Sequence, residues 1–181
     1  SFKNVKEKKE QFFQFMLPKI KLANTKIRAE RERLQNILDR DKSDPISNDA
    51  DKTFLATLKS KYRVSEKLDP SDALNALFSK IDEVPASLVL AQSANESGWG
   101  TSRFAIEARN MFGIWCFREG CGIKPLQRAE GKKYEVAKYN SIQESVEAYM
   151  LNINSHRAYR ELRRIRSKTR ADNGDPSGMA L

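Results

Sequence analysis

Glu96 stands where an acid could do proton chemistry, in the stretch VPASLVLAQSANESGWG from Val84 to Gly100. Pro85 suits the first turn of a helix, because its missing N–H would be unpaired there and its φ is already helical. Leu88, Val89, Leu90, Ala91 and Ala94 then make the helix apolar on nearly every side, as a helix buried in a core reads. Gly98 supplies the residue type that tolerates a left-handed stop. A carboxyl near that end has two reasons to keep its proton: burial disfavours the charge, and the helix C-terminus already carries about half a negative charge. A protonated carboxyl near neutral pH is what a general acid needs, and Trp99 beside it could form the wall of a sugar site. The same residues equally describe an acid at a helix end that points into water.

The rest of the composition offers few competing centres. Two cysteines, Cys116 and Cys121, and one histidine, His156, are too few for a zinc site built from Cys and His, so no metal is expected. His156 lies at a helix junction without a nearby Ser or Cys nucleophile pattern and reads as structural. The chain has 181 residues, 39% of them apolar, enough for one domain with a real core plus an appendage. No run of about 18 apolar residues exists, so no membrane-spanning segment is expected. A net charge of +9 favours an anionic partner: nucleic acid, a membrane surface or an acidic wall polymer. An aromatic-basic repeat or other nucleic-acid motif is lacking, which argues against the first.

Helices must position Glu96. Residues 1–48 read as a helical appendage and linker. Phe12, Phe13, Phe15 and Met16 form an apolar knot, Pro18 interrupts, and Ile20, Ile27, Leu34 and Leu38 continue a narrow stripe. DKSDPISND, Asp41 to Asp49, reads as the linker. Residues 49–181 read as the main domain. Phe54, Leu55, Leu58 and Tyr62 fall at helical spacing, and Asp69, Pro70 and Asp72 start a second helix bearing Leu74, Leu77, Phe78 and Ile81. Thr101 or Ser102 can cap a short helix ending at Asn110.

From Phe112 to Tyr139 the helical period breaks into glycines and alternation, which predicts a small β-hairpin lobe. Cys116 and Cys121 could close a turn of that lobe as a disulfide or stand as free buried thiols. The disulfide is the expectation, and in so small a loop it contributes about 2 kcal/mol and mainly fixes shape. Ser141 with Glu144 reads as a capping box opening a core helix through Ile153. The last helix carries Tyr159, Leu162 and Ile165 on one face and seven Arg or Lys residues elsewhere, a face read as solvated surface. Met179, Ala180 and Leu181 look like a helix cut short, so a truncated C-terminus is expected.

The stretch AQSANESGWGTSRFAIEARNMFGIW, Ala91 to Trp115, resembles the active-site signature of the bacterial glucosaminidase family, which cleaves peptidoglycan on a lysozyme-like scaffold. YNSIQESVEAYMLNI, Tyr139 to Ile153, resembles that family's next signature, a Tyr-x-Ser turn and a core helix with a later tyrosine, here Tyr159. The cysteines of WCFREGCG are similar to those of the family's Bax-type branch in enteric bacteria. The resemblance covers roughly Asp69 to Arg166. It implies a mainly α (α+β), lysozyme-like helical domain with a small β lobe.

It also implies an endo-β-N-acetylglucosaminidase cutting the β-1,4 bond between N-acetylglucosamine and N-acetylmuramic acid, with Glu96 as general acid. Trp99, Asn110, Phe112 and Tyr139 fall on motif positions of the substrate cleft. Glu130 is the best positional match for a second carboxylate, with Glu135 and Glu119 as alternatives, and Tyr159 is the catalytic tyrosine candidate. Peptidoglycan strands are the expected partner of a monomeric protein of the periplasm or cell envelope that needs no cofactor. A non-hydrolytic wall-binding or assembly module on the same fold is the alternative.

Overall fold

The N-terminal helix runs straight through its proline. In a computed structural model of the chain, which describes residues 4–40, 48–172 and 174, helix α1 spans Val5–Arg40 with Pro18 inside it. Pro18 is exposed, so its ring and the missing backbone bond face water, and the helix continues where the sequence suggested an interruption. The expected linker lies outside the described residues over 41–47, and Asn48 and Asp49 instead open α2 (Asp49–Lys61), with the Asn48 side chain accepting from the Asp51 N–H. The expected cut-off helix at Met179 to Leu181 also lies outside the described residues.

Helix α3 (Pro70–Lys80) starts as read, with Asp69 as its cap. Helices α4 (Ala86–Glu96), α5 (Arg103–Glu107, capped by Ser102), α6 (Ile142–Ser155) and α7 (Arg160–Ala171) follow, with a 3-10 turn at Arg157–Tyr159. The capping box at α6 is shifted by one residue: Ser141 Oγ accepts from the Glu144 N–H at 3.1 Å, while the Glu144 carboxylate accepts from the Asn140 N–H at 2.9 Å. Strands β1 (Trp115–Cys116), β2 (Gly122–Ile123) and β3 (Glu135–Ala137) form an antiparallel sheet in the order β1-β3-β2. The chain is thus mainly α with a small β lobe, as a lysozyme-like fold requires.

Two units divide the chain. The first comprises Ser1–Ala23 and Ala86–Met150. Its buried residues include Met16 and Ile20 of α1, Val89 of α4, Met111, and Val146 and Met150 of α6. The second comprises Asn24–Pro85 and Leu151–Leu181. Leu34, Ile37, Leu58, Tyr62, Leu77, Ile81 and Ile153 are buried there. The Asn24 side chain both donates to the Val84 carbonyl at 2.9 Å and accepts from its N–H at 3.0 Å, fixing the backbone just before α4.

Helix α7 departs most from the sequence reading. Its arginine face reads as solvated, yet Arg163 and Arg166 are buried, while Ile165 of the opposite face is exposed. The reason is unpaired carbonyls at helix ends. Arg163 donates to Ile153 and His156, and Arg166 donates to Ser79, Lys80, Asp82 and Glu83. Burial lowers the Arg166 pKa to about 10 against the favourable charge of Asp82. His156 caps the 3-10 turn by accepting from the Ala158 N–H, a structural role as read.

Candidate functional site

Glu96 is the last residue of α4, and the turn after it fixes where its carboxylate goes. The Trp99 N–H reaches back to the Ala94 carbonyl at 2.8 Å, the closure of a Schellman turn. Gly98, Trp99 and Gly100 all take positive φ, at 57°, 60° and 77°. Trp99 is the one residue of the three with a side chain to strain, and packing holds it there. Its ring lies 5.6 Å from Phe12 and 5.5 Å from Phe13, both edge-on, with the Lys9 ammonium 5.0 Å over it. Lys8 also reaches the Gly98 carbonyl at 3.5 Å. The first turns of α1 therefore pin the loop that follows Glu96.

The greasy surroundings expected for Glu96 are absent: it is exposed. The apolar run of α4 buries Leu88, Val89, Ser93 and Ala94, but the helix has emerged by Asn95 and Glu96. Among the described residues no hydrogen bond or ion pair engages the Glu96 carboxylate. Its Oε2 stands over Gly113, 3.6 Å from the point that a Cβ there would occupy. Gly113 has a φ of 60°.

Asn110 builds the floor that carries Gly113. It is 1% exposed, and its amide spends itself on the protein. Nδ2 donates to the Ile114 and Ala137 carbonyls at 2.8 and 2.9 Å, while Oδ1 accepts from the Phe112 and Ile114 N–H groups. Phe112 is buried and stacks on Tyr149 with ring centres 4.1 Å apart and planes 4° apart. Both residues support the loop from below and present no surface for a sugar to rest on.

Trp115, two residues past Gly113, was not singled out by sequence. It is 49% exposed and stacks on Tyr134, ring centres 4.4 Å apart. Their register explains the pairing: Trp115 opposes Val136, which puts Tyr134 diagonally across the β1–β3 ladder on the same face. An aromatic two places after a glycine turn and another two places before its strand partner is the signal that was available.

The lobe is tied internally. Cys116 and Cys121 form a disulfide. Glu135, one alternative second acid, is buried beneath it and accepts from the Gly122 N–H at 2.8 Å and the Gly120 N–H at 3.3 Å. The Gly122 hydrogen bond, chiefly, holds its carboxyl below the usual range, with further help from Gly120 and Arg128. Gly122 lies so near β3 that a Cβ would collide with the Val136 carbonyl. Glu135, Cys116 and Cys121 also form the only cluster of metal-binding residue types among the described residues, and the disulfide takes both thiols.

Glu130 is exposed on the turn Ala129–Lys132, and Glu119 is exposed before the second cysteine. Tyr139 donates its N–H to the Ala108 carbonyl, and burial pushes its phenol up. Tyr159 belongs to the second unit, half-buried at the end of the 3-10 turn.

Residues 72–178 match the glucosaminidase family model, described as mannosyl-glycoprotein endo-beta-N-acetylglucosaminidase. The chain belongs to the glucosaminidase family. Glu96, Asn110, Gly113, the lobe and Tyr159 all fall inside that glucosaminidase match, while α1 and α2 precede it. Over 174 residues the chain is 30% identical to Protein bax of Escherichia coli (strain K12), a match that takes in 96% of this chain and 61% of that protein. The chain thus spans about three fifths of that relative's length, and the likeness includes α1. No solved structure matches it. Among the described residues, no helix is long and apolar enough to cross a membrane.

Proposed function

We propose that the protein is a peptidoglycan hydrolase, an endo-β-N-acetylglucosaminidase that cleaves the β-1,4 bond between N-acetylglucosamine and N-acetylmuramic acid with Glu96 as general acid. The observation that carries the reading is the placement of Glu96 within the glucosaminidase match: an exposed carboxyl, free of partners among the described residues, held by a three-residue left-handed turn above Gly113. In the protonated form it donates to the departing glycosidic oxygen as positive charge builds at the anomeric carbon.

Trp115 and Tyr134 supply an aromatic step beside the acid. Gly113 and Trp115 are two residues apart, so their Cα atoms are separated by at most about 7 Å. A sugar ring has an apolar face of C–H bonds that suits a flat indole. The exposed Lys124, Lys132, Lys133 and Lys138 around the lobe suit the carboxylates of a wall polymer. Glu130 is the second carboxylate of the reading, because Glu135 is committed to the lobe's own N–H groups. Tyr159 is its catalytic tyrosine and Tyr139 and Trp99 border the cleft. The reading places the protein in the periplasm or cell envelope, acting as a monomer.

The test compares the protein with Glu96→Gln on isolated cell walls, reading new reducing ends and released muropeptides by mass spectrometry. Release by the parent and its loss in the variant is the expected result. Equal release by both removes Glu96 from the chemistry, and wall binding without any release by the parent identifies a binding module.

A further inference from the structure

A cavity of about 510 Å³ in the second unit collects positive charge without an acid to balance it. Arg63, Lys80, His156, Arg157, Arg160 and Arg163 line it, and the remaining lining residues, Ala76, Ser79 and Ser155, are neutral. Three acids of neighbouring segments are paired with other cations: Glu66 with Lys59, Asp82 with Arg170 and Glu161 with Arg164.

Two of the cations are built in. Lys80 Nζ donates to the carbonyls of Tyr62, Arg63 and Ser155 at 2.7, 3.1 and 3.2 Å, and Arg163 donates to Ile153 and His156 at 2.7 and 2.9 Å. Carbonyl dipoles fix these side chains but cancel none of their charge. Burial, and after it the charges of Arg163 and Arg63, disfavour the Lys80 ammonium. Arg63, Arg157 and Arg160 are exposed at the rim, and among the described residues no hydrogen bond or ion pair holds their guanidinium groups.

We infer that this cavity binds a doubly charged phosphoryl group, as free phosphate or as a phosphate monoester on a larger molecule. Like charges converging on one cavity repel each other, and a bound anion converts that repulsion into attraction. A carboxylate brings one charge, whereas a phosphate monoester brings about 1.5 to 2 at pH 7 and three acceptor oxygens. Arginine forks at the rim match those oxygens two at a time. The site involves none of the residues assigned to glycan cleavage.

The protein has one histidine, so His156 is a built-in reporter in the cavity wall. The experiment follows its ring proton signals by NMR at pH 7 and constant ionic strength. Inorganic phosphate, methyl phosphate and dimethyl phosphate are added in turn, with chloride as the control. Expected is a saturable shift with inorganic phosphate and methyl phosphate, and binding about tenfold or more weaker for dimethyl phosphate, which carries a single charge. Tighter binding of methyl phosphate points to an esterified ligand, and tighter binding of inorganic phosphate to the free ion. Arg157→Ser with Arg160→Ser, both at exposed positions, should weaken the phosphate response about tenfold or more with the fold intact by circular dichroism. No saturable shift, a chloride response equal to that of phosphate, dimethyl phosphate binding equally well, or an unchanged response in the double variant overturns the inference.

Discussion

Glu96 Oε2 lies directly over Gly113, 3.6 Å from where a Cβ on that residue would sit. That spacing is ordinary contact, so Gly113→Ala adds a methyl group that touches the carboxylate without expelling it. The φ of 60° is the larger problem, because a left-handed conformation costs an ordinary residue about 1–2 kcal/mol. The loop relieves that strain by moving, and with it moves the surface that the proposed function gives to Glu96 and a glycan. Gly113→Ala is expected to lower the melting temperature by only a few degrees. Its hydrolysis of cell walls should fall much further, by about tenfold to a hundredfold, since small misplacement is costly in a catalytic geometry. Reducing-end assays beside thermal melts check this, and a drop in activity no larger than the loss of folded protein contradicts it.

The loop that follows Glu96 depends on α1 through Phe12. Its buried ring meets Trp99 edge-on and lies 3.6 Å from the Cβ position of Gly100. Phe12→Ala removes the wall that holds Trp99 at positive φ. Deleting a buried phenylalanine ring costs about 3–5 kcal/mol in a well-packed site. The urea midpoint should fall accordingly, and wall hydrolysis should fall even at temperatures where the variant stays folded. Full activity of folded Phe12→Ala would show that the loop holds its shape without α1.

How far these features were readable in the chain varies with the range of the interaction that makes them. Glu96, its Gly98 stop, the Asp69 and Ser102 caps and the β lobe rest on contacts a few residues apart, and local pattern exposes those. Local pattern left burial and exposure of Glu96 both open, because an apolar helix does not announce where it surfaces, and α4 surfaces in its final turn. Arg163 and Arg166 were misread because an arginine on a charged helix looks solvated until distant helix ends supply carbonyls for it. Trp115 with Tyr134, and Glu135 with the Gly122 N–H, depend on strand register, which strands of two or three residues do not reveal. Pro18 fitted inside α1 because its missing bond falls on the wet side.

Asp82 makes the second unit sensitive to acid. Burial opposes its charge, but the hydrogen bond from Arg170, together with the charges of Arg31 and Arg166, outweighs burial and holds the carboxyl below its ordinary value. A carboxyl depressed in the folded state contributes stability that is complete above its unfolded value of about 4 and is lost as pH falls through the folded one. Resistance to urea should therefore weaken as pH falls below about 4. Asp82→Asn leaves Arg166, wholly buried and with Nε lacking a hydrogen-bond partner among the described residues, without its counter-charge. A loss of about 3–5 kcal/mol at pH 7 is expected, with a flatter acid limb. An unchanged acid limb in the variant would place the acid sensitivity in other carboxylates.

Trp115 tests whether the lobe is a glycan surface. With Tyr134 against one face of the indole and half the residue in solvent, the pair resembles the anchor of a binding site more than a piece of core. Glu96→Gln is the background of choice, because binding to isolated cell walls is then followed without turnover. Trp115→Ala in that background should bind about tenfold more weakly in a pelleting assay, while Trp115→Phe, which keeps a ring to stack, should retain most of the affinity. Added salt should weaken all three proteins alike, since the lysines around the lobe act by charge and the ring does not. If Trp115→Ala pellets as well as its parent, the glycan runs elsewhere and the stack serves only to close the β1–β3 ladder.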